Sequence, residues 1–210
     1  MSLSFSQNNE DQIIIDWFGS YVGTFIEAGI NDGIVFSNTY ALALMGWSGI
    51  GVEPSPEAFK RAKFNYRDMP KVKLYNYAAT GRYEGPIEFF ESGTHLKQND
   101  VALLSTVNKK ELERWKGTDN TFEKTLVKAR PIKSIIEDSG FDTIDFLSLD
   151  LEGSECEVLE QIDLAKYKTQ AVCIEWNLNE KILTFIKGYC KQFGLTKELL
   201  KNSENIILAK

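Results

Sequence analysis

Five acidic side chains stand where short apolar runs end. Glu27 lies in Thr24-Phe25-Ile26-Glu27-Ala28, and Glu53 follows Gly49-Ile50-Gly51-Val52. Asp150 and Glu152 lie in Leu149-Asp150-Leu151-Glu152-Gly153, and Glu175 follows Ala171-Val172-Cys173-Ile174. A carboxylate closing a buried run is costly unless it has a partner or a task. The first run continues into Glu27-x-Gly29-x-x-x-Gly33. A dinucleotide fingerprint needs Gly-x-Gly-x-x-Gly, but Asn31 and Ile34 stand where its second and third glycines belong. No Gly-Lys-Ser/Thr follows either. Nicotinamide-dependent oxidoreduction and a phosphate loop are therefore excluded. Glu53, at the end of the next run, can accept hydrogen bonds from both hydroxyls of a ribose. A glycine turn paired with an acid at the next run's end points to an adenosine-containing ligand with no pyrophosphate requirement.

Candidates for proton transfer are Asp150, Glu152, Glu175 and His95, the only histidine. An imidazole suits a general base near neutral pH, although a loop histidine is often simply solvated. Asp150, Glu152 and Glu175 are also hard oxygen ligands that could gather a divalent ion. Sequence separation says nothing of their distance, and no obligatory metal is expected. In the polar segment Ser92 to Asn120, Ser105 and Thr106 could bond a polar acceptor. Trp115 there offers either a sugar-stacking face or core packing.

The elements that must position these residues alternate between strand-like and helix-like. Strands are expected at Thr24–Ala28, Gly49–Glu53, Val72–Tyr77, Ile87–Glu91, Asp145–Leu151 and Ala171–Glu175. Helices are expected at Asn9–Phe18, Asn38–Trp47, Pro56–Asp68, Pro131–Asp138, Ser154–Ile162 and Glu180–Phe193. Asn8 or Asn9 could cap the first helix, Ser55 the third, and Ser154 with Glu157 forms a capping-box pattern. Leu195–Leu200 and Asn205–Leu208 read as a closing hairpin. This order implies parallel crossovers, hence an α/β, doubly wound, mostly parallel sheet with a C-terminal antiparallel hairpin. Ligands bind such sheets outside the carboxyl ends of the strands.

The chain has 210 residues, 43% hydrophobic and 26% charged, which suits one domain over 1–210 rather than a disordered chain. Within it, 1–20 forms an N-terminal helix, and 92–120 is an insertion long enough to cover an acceptor site. The net charge of −6 argues against holding nucleic acid by bulk charge. Lys109-Lys110 and the basic residues between Lys124 and Arg130 read as a solvated face. Cys156, Cys173 and Cys190 are odd in number and lack CxxC spacing, so reduced thiols are expected. Met1 to Asp16 lacks signal-peptide character, and no apolar stretch reaches membrane-spanning length. A cytoplasmic protein without membrane or nucleic-acid partners is expected.

These motifs together resemble the FkbM-type S-adenosylmethionine-dependent methyltransferases, class I Rossmann-like enzymes. The resemblance is carried by Ser6-Gln7-x-x-Glu10-Asp11, by the Phe25–Gly33 run, and by Gly46-Trp47-Ser48-Gly49-Ile50-Gly51-Val52-Glu53-Pro54. Leu104-Ser105-Thr106 and Ile144 to Glu155 complete it. It implies a class I methyltransferase sheet and S-adenosyl-L-methionine as cofactor. The turn of Glu27, Gly29, Asn31, Asp32 and Gly33 would hold the cofactor's methionine end, and Glu53 with Pro54 would hold the ribose. Ala78 would lie against adenine, and Asp150 near the sulfonium. In-line methyl transfer to a hydroxyl is expected with a carboxylate as general base, Glu152 ahead of Asp150 and His95, and Gln7, Asp11, Ser105 and Glu175 would contact a small-molecule or saccharide acceptor. The family often has Asp at position 27 and Ala at position 30. Both changes keep the chemistry. The rival expectation is a catalytically inactive cofactor- or glycan-binding module of the same fold.

Overall fold

A computed structural model of the protein describes residues 4–95 and 100–210. Positions 96–99 of the 92–120 insertion and 1–3 of the N-terminal segment lie outside the described residues. The first half runs α1 (Glu10–Phe18), β1 (Thr24–Ala28), α2 (Tyr40–Leu44), β2 (Ser48–Val52), α3 (Pro56–Asn65) and β3 (Val72–Tyr75). Then come β4 (Ala78–Thr80), β5 (Gly85–Ser92), a 3-10 turn at Glu111–Trp115 and β6 (Phe122–Pro131). The remainder is α4 (Ile132–Ser139), β7 (Phe146–Leu149), α5 (Glu155–Leu159), β8 (Ala171–Glu175), α6 (Glu180–Lys191), β9 (Lys197–Lys201) and β10 (Asn205–Ala209).

Seven strands form one sheet in the order β3-β2-β1-β7-β8-β10-β9. The first five are mutually parallel, and β10 is antiparallel to both β8 and β9, as the sequence implies. The register levels the carboxyl ends. Ala28 pairs with both Val52 and Leu149, and Leu149 pairs with Ile174. The residues that follow, Gly29, Glu53 and Asp150, therefore emerge along one edge beside Glu175. Strand order reverses between β1 and β7, the place where such sheets bind ligands.

The period-two alternation of side chains divides the core between the sheet's faces. Ile26, Ala28, Leu147, Leu149 and Val172 pack with Ile132, Ile135 and Ile136 of α4, Val158 of α5 and Ile186 of α6. Phe25, Phe146 and Cys173 pack with Ile14 of α1, Leu42 of α2 and Ala62 of α3. Each large side chain buried in this way contributes about 1.5–3 kcal/mol.

Four local expectations change. The third strand stops at Tyr75, because Asn76 turns the chain by donating from Nδ2 to the carbonyls of Glu53 and Pro54. The chain then enters a separate three-stranded sheet, ordered β4-β6-β5. The basic stretch from Lys124 to Arg130 is not merely a charged face but lies in β6, where Val127 and Ala129 are buried and Lys128 between them is exposed. Ser154 makes no side-chain cap at α5. Glu157, its expected capping-box partner, instead accepts from Gly81 N at 3.0 Å. Asn9 also makes no side-chain cap at α1, whereas Ser55 does cap α3, accepting from Ala58 N at 3.3 Å.

Candidate active site

A cavity opens at the carboxyl edge of the sheet. Gly29, Asn31, Glu53 and Pro54 line it from the first two strand ends, and Tyr77 and Ala78 from the start of the small sheet. Asp150, Glu152 and Glu175 line the other side. Gln7 reaches it from the N-terminal segment, and Glu204 and Asn205 from the β9–β10 hairpin. The 92–120 insertion contributes His95, Leu104, Ser105, Arg114 and Trp115.

Glu53 is buried and held rigidly. Its Oε2 accepts from Asn31 N at 2.9 Å and its Oε1 from Ser55 N at 2.8 Å. A carboxylate has about four lone-pair sites, so each oxygen retains capacity for a further donor. Burial pushes the Glu53 carboxyl up to about 7 against the pull of those two hydrogen bonds, with the nearby charges of Glu91 and Asp150 adding to the rise. Ser55 Oγ also donates to Glu91, which fixes the start of α3 beneath the site.

The turn after β1 has no room for side chains at its glycines. Gly29 has φ 88° and Gly33 φ 81°, both in the left-handed region. A β-carbon at Gly33 would meet the Tyr66 ring at 2.4 Å. Three of the sequence-predicted residues in this region do not reach the cavity lining: Glu27, Asp32 and Gly33. Asp32 Oδ1 accepts from Ile34 N at 2.9 Å and Val35 N at 2.8 Å, which shapes the turn. Glu27 accepts from Ser37 Oγ, Asn38 N and Thr39 Oγ1 at 2.7–2.8 Å, tying β1 to the approach of α2. Burial raises its carboxyl to about 7 despite those bonds.

Asp11 also lies away from the cavity. Its carboxylate accepts from Ser4 Oγ, Phe5 N and Ser6 Oγ at 2.6–2.8 Å, so it folds the N-terminal segment onto α1. That places Gln7, whose Nε2 donates to Glu204 Oε1 at 3.1 Å across the cavity mouth. Glu10 is fully buried and accepts from Asn202 Nδ2 and Asn205 Nδ2 at 3.2 and 3.1 Å.

Asp150, Glu152 and Glu175 come together. One carboxylate oxygen from each lies within 4.8 Å of the others. Desolvation raises all three carboxyls; Asp150 adds to the rise of Glu152, Asp150 and Glu152 to that of Glu175, and Glu155, Glu27 and Glu204 to that of Asp150. Glu152 stands at φ 50° in the β7–α5 turn. Its backbone carbonyl accepts from Thr106 Oγ1 at 2.7 Å. Glu155, which ends the same turn, accepts from Leu151 N and Gly153 N.

His95 has a defined orientation. Thr118 Oγ1 donates to Trp115 O at 2.7 Å, so it accepts from Asn120 Nδ2 at 3.1 Å. That order turns Asn120 Oδ1 toward His95 Nδ1, 2.9 Å away, and makes Nδ1 the protonated nitrogen. Nε2 is left with the lone pair. The Trp115 ring meets the imidazole edge-on at 5.6 Å between centroids, and its Nε1 is buried without a hydrogen-bond partner. Ser105 Oγ accepts from Ser92 N at 2.8 Å.

Sequence reasoning missed Arg114, Asn120, Glu204 and Asn205. They lie in irregular or hairpin segments where spacing carries no signal. The seating of Glu53 by Asn31 N and Ser55 N was also missed, because backbone donors leave no trace in residue types.

The family model described as the methyltransferase FkbM domain matches residues 27–194. No curated protein matches the chain. Among solved structures, the fold is similar to that of the ribosomal protein L11 methylase from Lactobacillus delbrueckii subsp. bulgaricus, with TM-score 0.51 and 12% identity over 96% of this chain and 76% of that one. A methyltransferase from Geobacter sulfurreducens matches with TM-score 0.52 and 9% identity, covering 98% of this chain and 79% of that one. A putative RNA methyltransferase from Pyrococcus horikoshii matches with TM-score 0.51 and 11% identity, covering 96% and 80%. At these identities the likeness shows the fold alone. Among the described residues, no helix is long and apolar enough to cross a membrane.

Proposed function

Because the chain belongs to the FkbM methyltransferase family, whose methyl donor is S-adenosyl-L-methionine, we propose that it methylates a hydroxyl of a sugar or glycosylated small molecule. The observation that carries the cofactor's placement is the seating of Glu53 in the cavity wall, with both oxygens fixed by backbone N–H groups and able to accept more. Two adjacent ribose hydroxyls fit that pair of oxygens. Bound there, S-adenosylmethionine supplies a methyl group made electrophilic by a positively charged sulfur.

The chain's own residues divide the remaining work. Gly29 gives the ligand access to backbone where a side chain would obstruct it, and Asn31 and Pro54 flank the ribose position. Tyr77 and Ala78 offer an apolar wall for a base. Asp150 brings negative charge toward a cationic ligand. Glu27, Asp32 and Gly33 act through the shape of the turn rather than by contact, and Asp11 acts by placing Gln7.

At the acceptor end, Gln7, Ser105 and Glu175 supply polar contacts. The unpaired Trp115 Nε1 is a donor that an acceptor oxygen would satisfy. A polar, hydroxyl-rich acceptor suits this lining better than an apolar one. Its proton goes to His95 Nε2, the nitrogen with the lone pair. Burial raises the carboxyls of Asp150 and Glu152, which makes their ionised forms stronger bases, so they are the second candidates for that proton.

Titration of S-adenosylhomocysteine into the folded protein should show binding that Glu53→Ala weakens. No binding to folded protein would overturn the cofactor reading. Methyl-labelled cofactor incubated with saccharide acceptors should label the saccharide fraction. Label that appears only in RNA would overturn the acceptor class, and cofactor binding with no labelled product would favour the inactive module.

A further inference from the structure

Three acidic groups of the cavity have a geometry that methyl transfer by itself does not demand. One oxygen each from Asp150, Glu152 and Glu175 falls within 4.8 Å of the other two. A divalent ion held by oxygens at about 2.0–2.6 Å places ligands on its opposite sides about 4–5 Å apart. The spacing therefore fits three oxygens around one ion. An acidic cluster alone would mean little, since such groups also occur without metal.

The second observation is the state of Glu152. Its side chain is only 9% exposed, and its Oε2 has no hydrogen-bond partner. Arg114 Nη1 is 3.7 Å from that oxygen, beyond hydrogen-bond reach, and donates instead to Glu111 Oε2 at 3.3 Å. A half-exposed guanidinium shared in this way does not compensate three neighbouring carboxylates. A buried carboxylate oxygen with no hydrogen bond and only a distant ion pair is costly, and a small cation is the partner its chemistry suits. The surrounding backbone is already fixed for such a task. Thr106 Oγ1 holds the Glu152 carbonyl at 2.7 Å, and Asn108 Nδ2 holds that of Gly153 at 3.1 Å.

We propose that Asp150, Glu152 and Glu175 bind one divalent cation, Mg²⁺ or Mn²⁺, on the acceptor side of the cavity. All-oxygen donors select these hard ions over softer ones. Three protein oxygens leave further coordination positions for water and for a hydroxyl of the acceptor. Its role, though not its binding, rests on the methyl-transfer reading: the ion polarises the acceptor hydroxyl and lowers its pKa, and the proton departs to His95 Nε2. The carboxylates are then ligands, which leaves the imidazole free to act as base.

The test titrates Mn²⁺ into the full chain after chelator treatment, read by loss of the free Mn²⁺ paramagnetic resonance signal. S-adenosylhomocysteine is titrated in parallel. The expected result is one Mn²⁺ per chain, weakened at least tenfold by Glu152→Gln and by Glu175→Gln, with Mg²⁺ competing. Thermal melts confirm that both variants are folded. If S-adenosylhomocysteine binds but Mn²⁺ does not, or if both variants bind Mn²⁺ as the wild type does, the cation site is wrong and methyl transfer stands. If Mn²⁺ binds as expected but S-adenosylhomocysteine does not, the site is supported and the methyl-transfer reading fails.

Discussion

A β-carbon on Gly29 would stand 1.8 Å from the carbonyl oxygen of Asp150. The two residues follow the paired strand ends Ala28 and Leu149, so the turn after β1 and the turn after β7 share one narrow space. Asp150 N also donates to Ala28 O at 3.0 Å, which locks the two turns together.

Gly29→Ala should therefore disturb both halves of the site at once. The left-handed φ alone costs about 1–2 kcal/mol for a non-glycine residue, and the contact with a backbone oxygen cannot be relieved by a rotamer change. We expect a loss of at least about 2 kcal/mol in urea unfolding and loss of S-adenosylhomocysteine binding. Unchanged stability would show that the turns can separate freely.

Glu53→Gln should fall between wild type and Glu53→Ala in cofactor affinity. Gln keeps one carbonyl oxygen but brings an NH2 against either Asn31 N or Ser55 N. Hydrogen bonds to a charged acceptor contribute about 1.5–3 kcal/mol, so Glu53→Ala should weaken S-adenosylhomocysteine by about 10- to 100-fold in calorimetry. Thermal melts check that the variants fold.

Stability should fall as pH rises through the range set by Glu27. Its carboxyl titrates near 7 in the folded chain against a reference of 4.5. Between those values the folded state holds a proton that the unfolded state has released. The contribution is thus fully present below pH 4.5 and is lost as pH approaches 7. Wild-type stability measured relative to Glu27→Gln should decline from pH 5 to 7, at most by about 1.4 kcal/mol per pH unit, and level off above 8. Urea unfolding at each pH reads this difference, and a rising difference would reverse the assignment.

His95→Gln should lower kcat by about 10²–10⁴-fold, the usual span for a general base, with S-adenosylhomocysteine affinity unchanged. Asn120→Ala should lower kcat less and alter the pH–rate profile, because the imidazole loses the partner that fixes its tautomer. If Asn120→Ala changes stability but leaves the pH profile alone, Asn120 has only a structural role.

The sheet and its edge were legible in the sequence for a physical reason. Buried parallel strands read as apolar runs, and the acids Glu53, Asp150 and Glu175 stand out at their ends. The strands at Thr24–Ala28 and Ala171–Glu175 match their expected limits. Strand β6 was hidden because its exposed face carries Lys124, Lys128 and Arg130, which read as solvated charge. Asp11 and Glu27 were expected as ligand contacts from the Ser6-Gln7-x-x-Glu10-Asp11 motif and the Glu27–Gly33 turn. Their hydrogen bonds instead go to nearby segments of the chain, a distinction that only three-dimensional placement makes.

The clasp between Gln7 and Glu204 joins positions 197 apart. Protein synthesis runs from the amino end, so residue 7 leaves the ribosome long before its partner exists. Strand β10, which must enter between β8 and β9, is also made after both of them. A growing chain can form β1, β2 and β3 early, but its cavity still lacks one wall. A chain truncated before residue 204 leaves the cavity without Glu204 and Asn205 and exposes an open sheet edge at β8, a template for unwanted pairing.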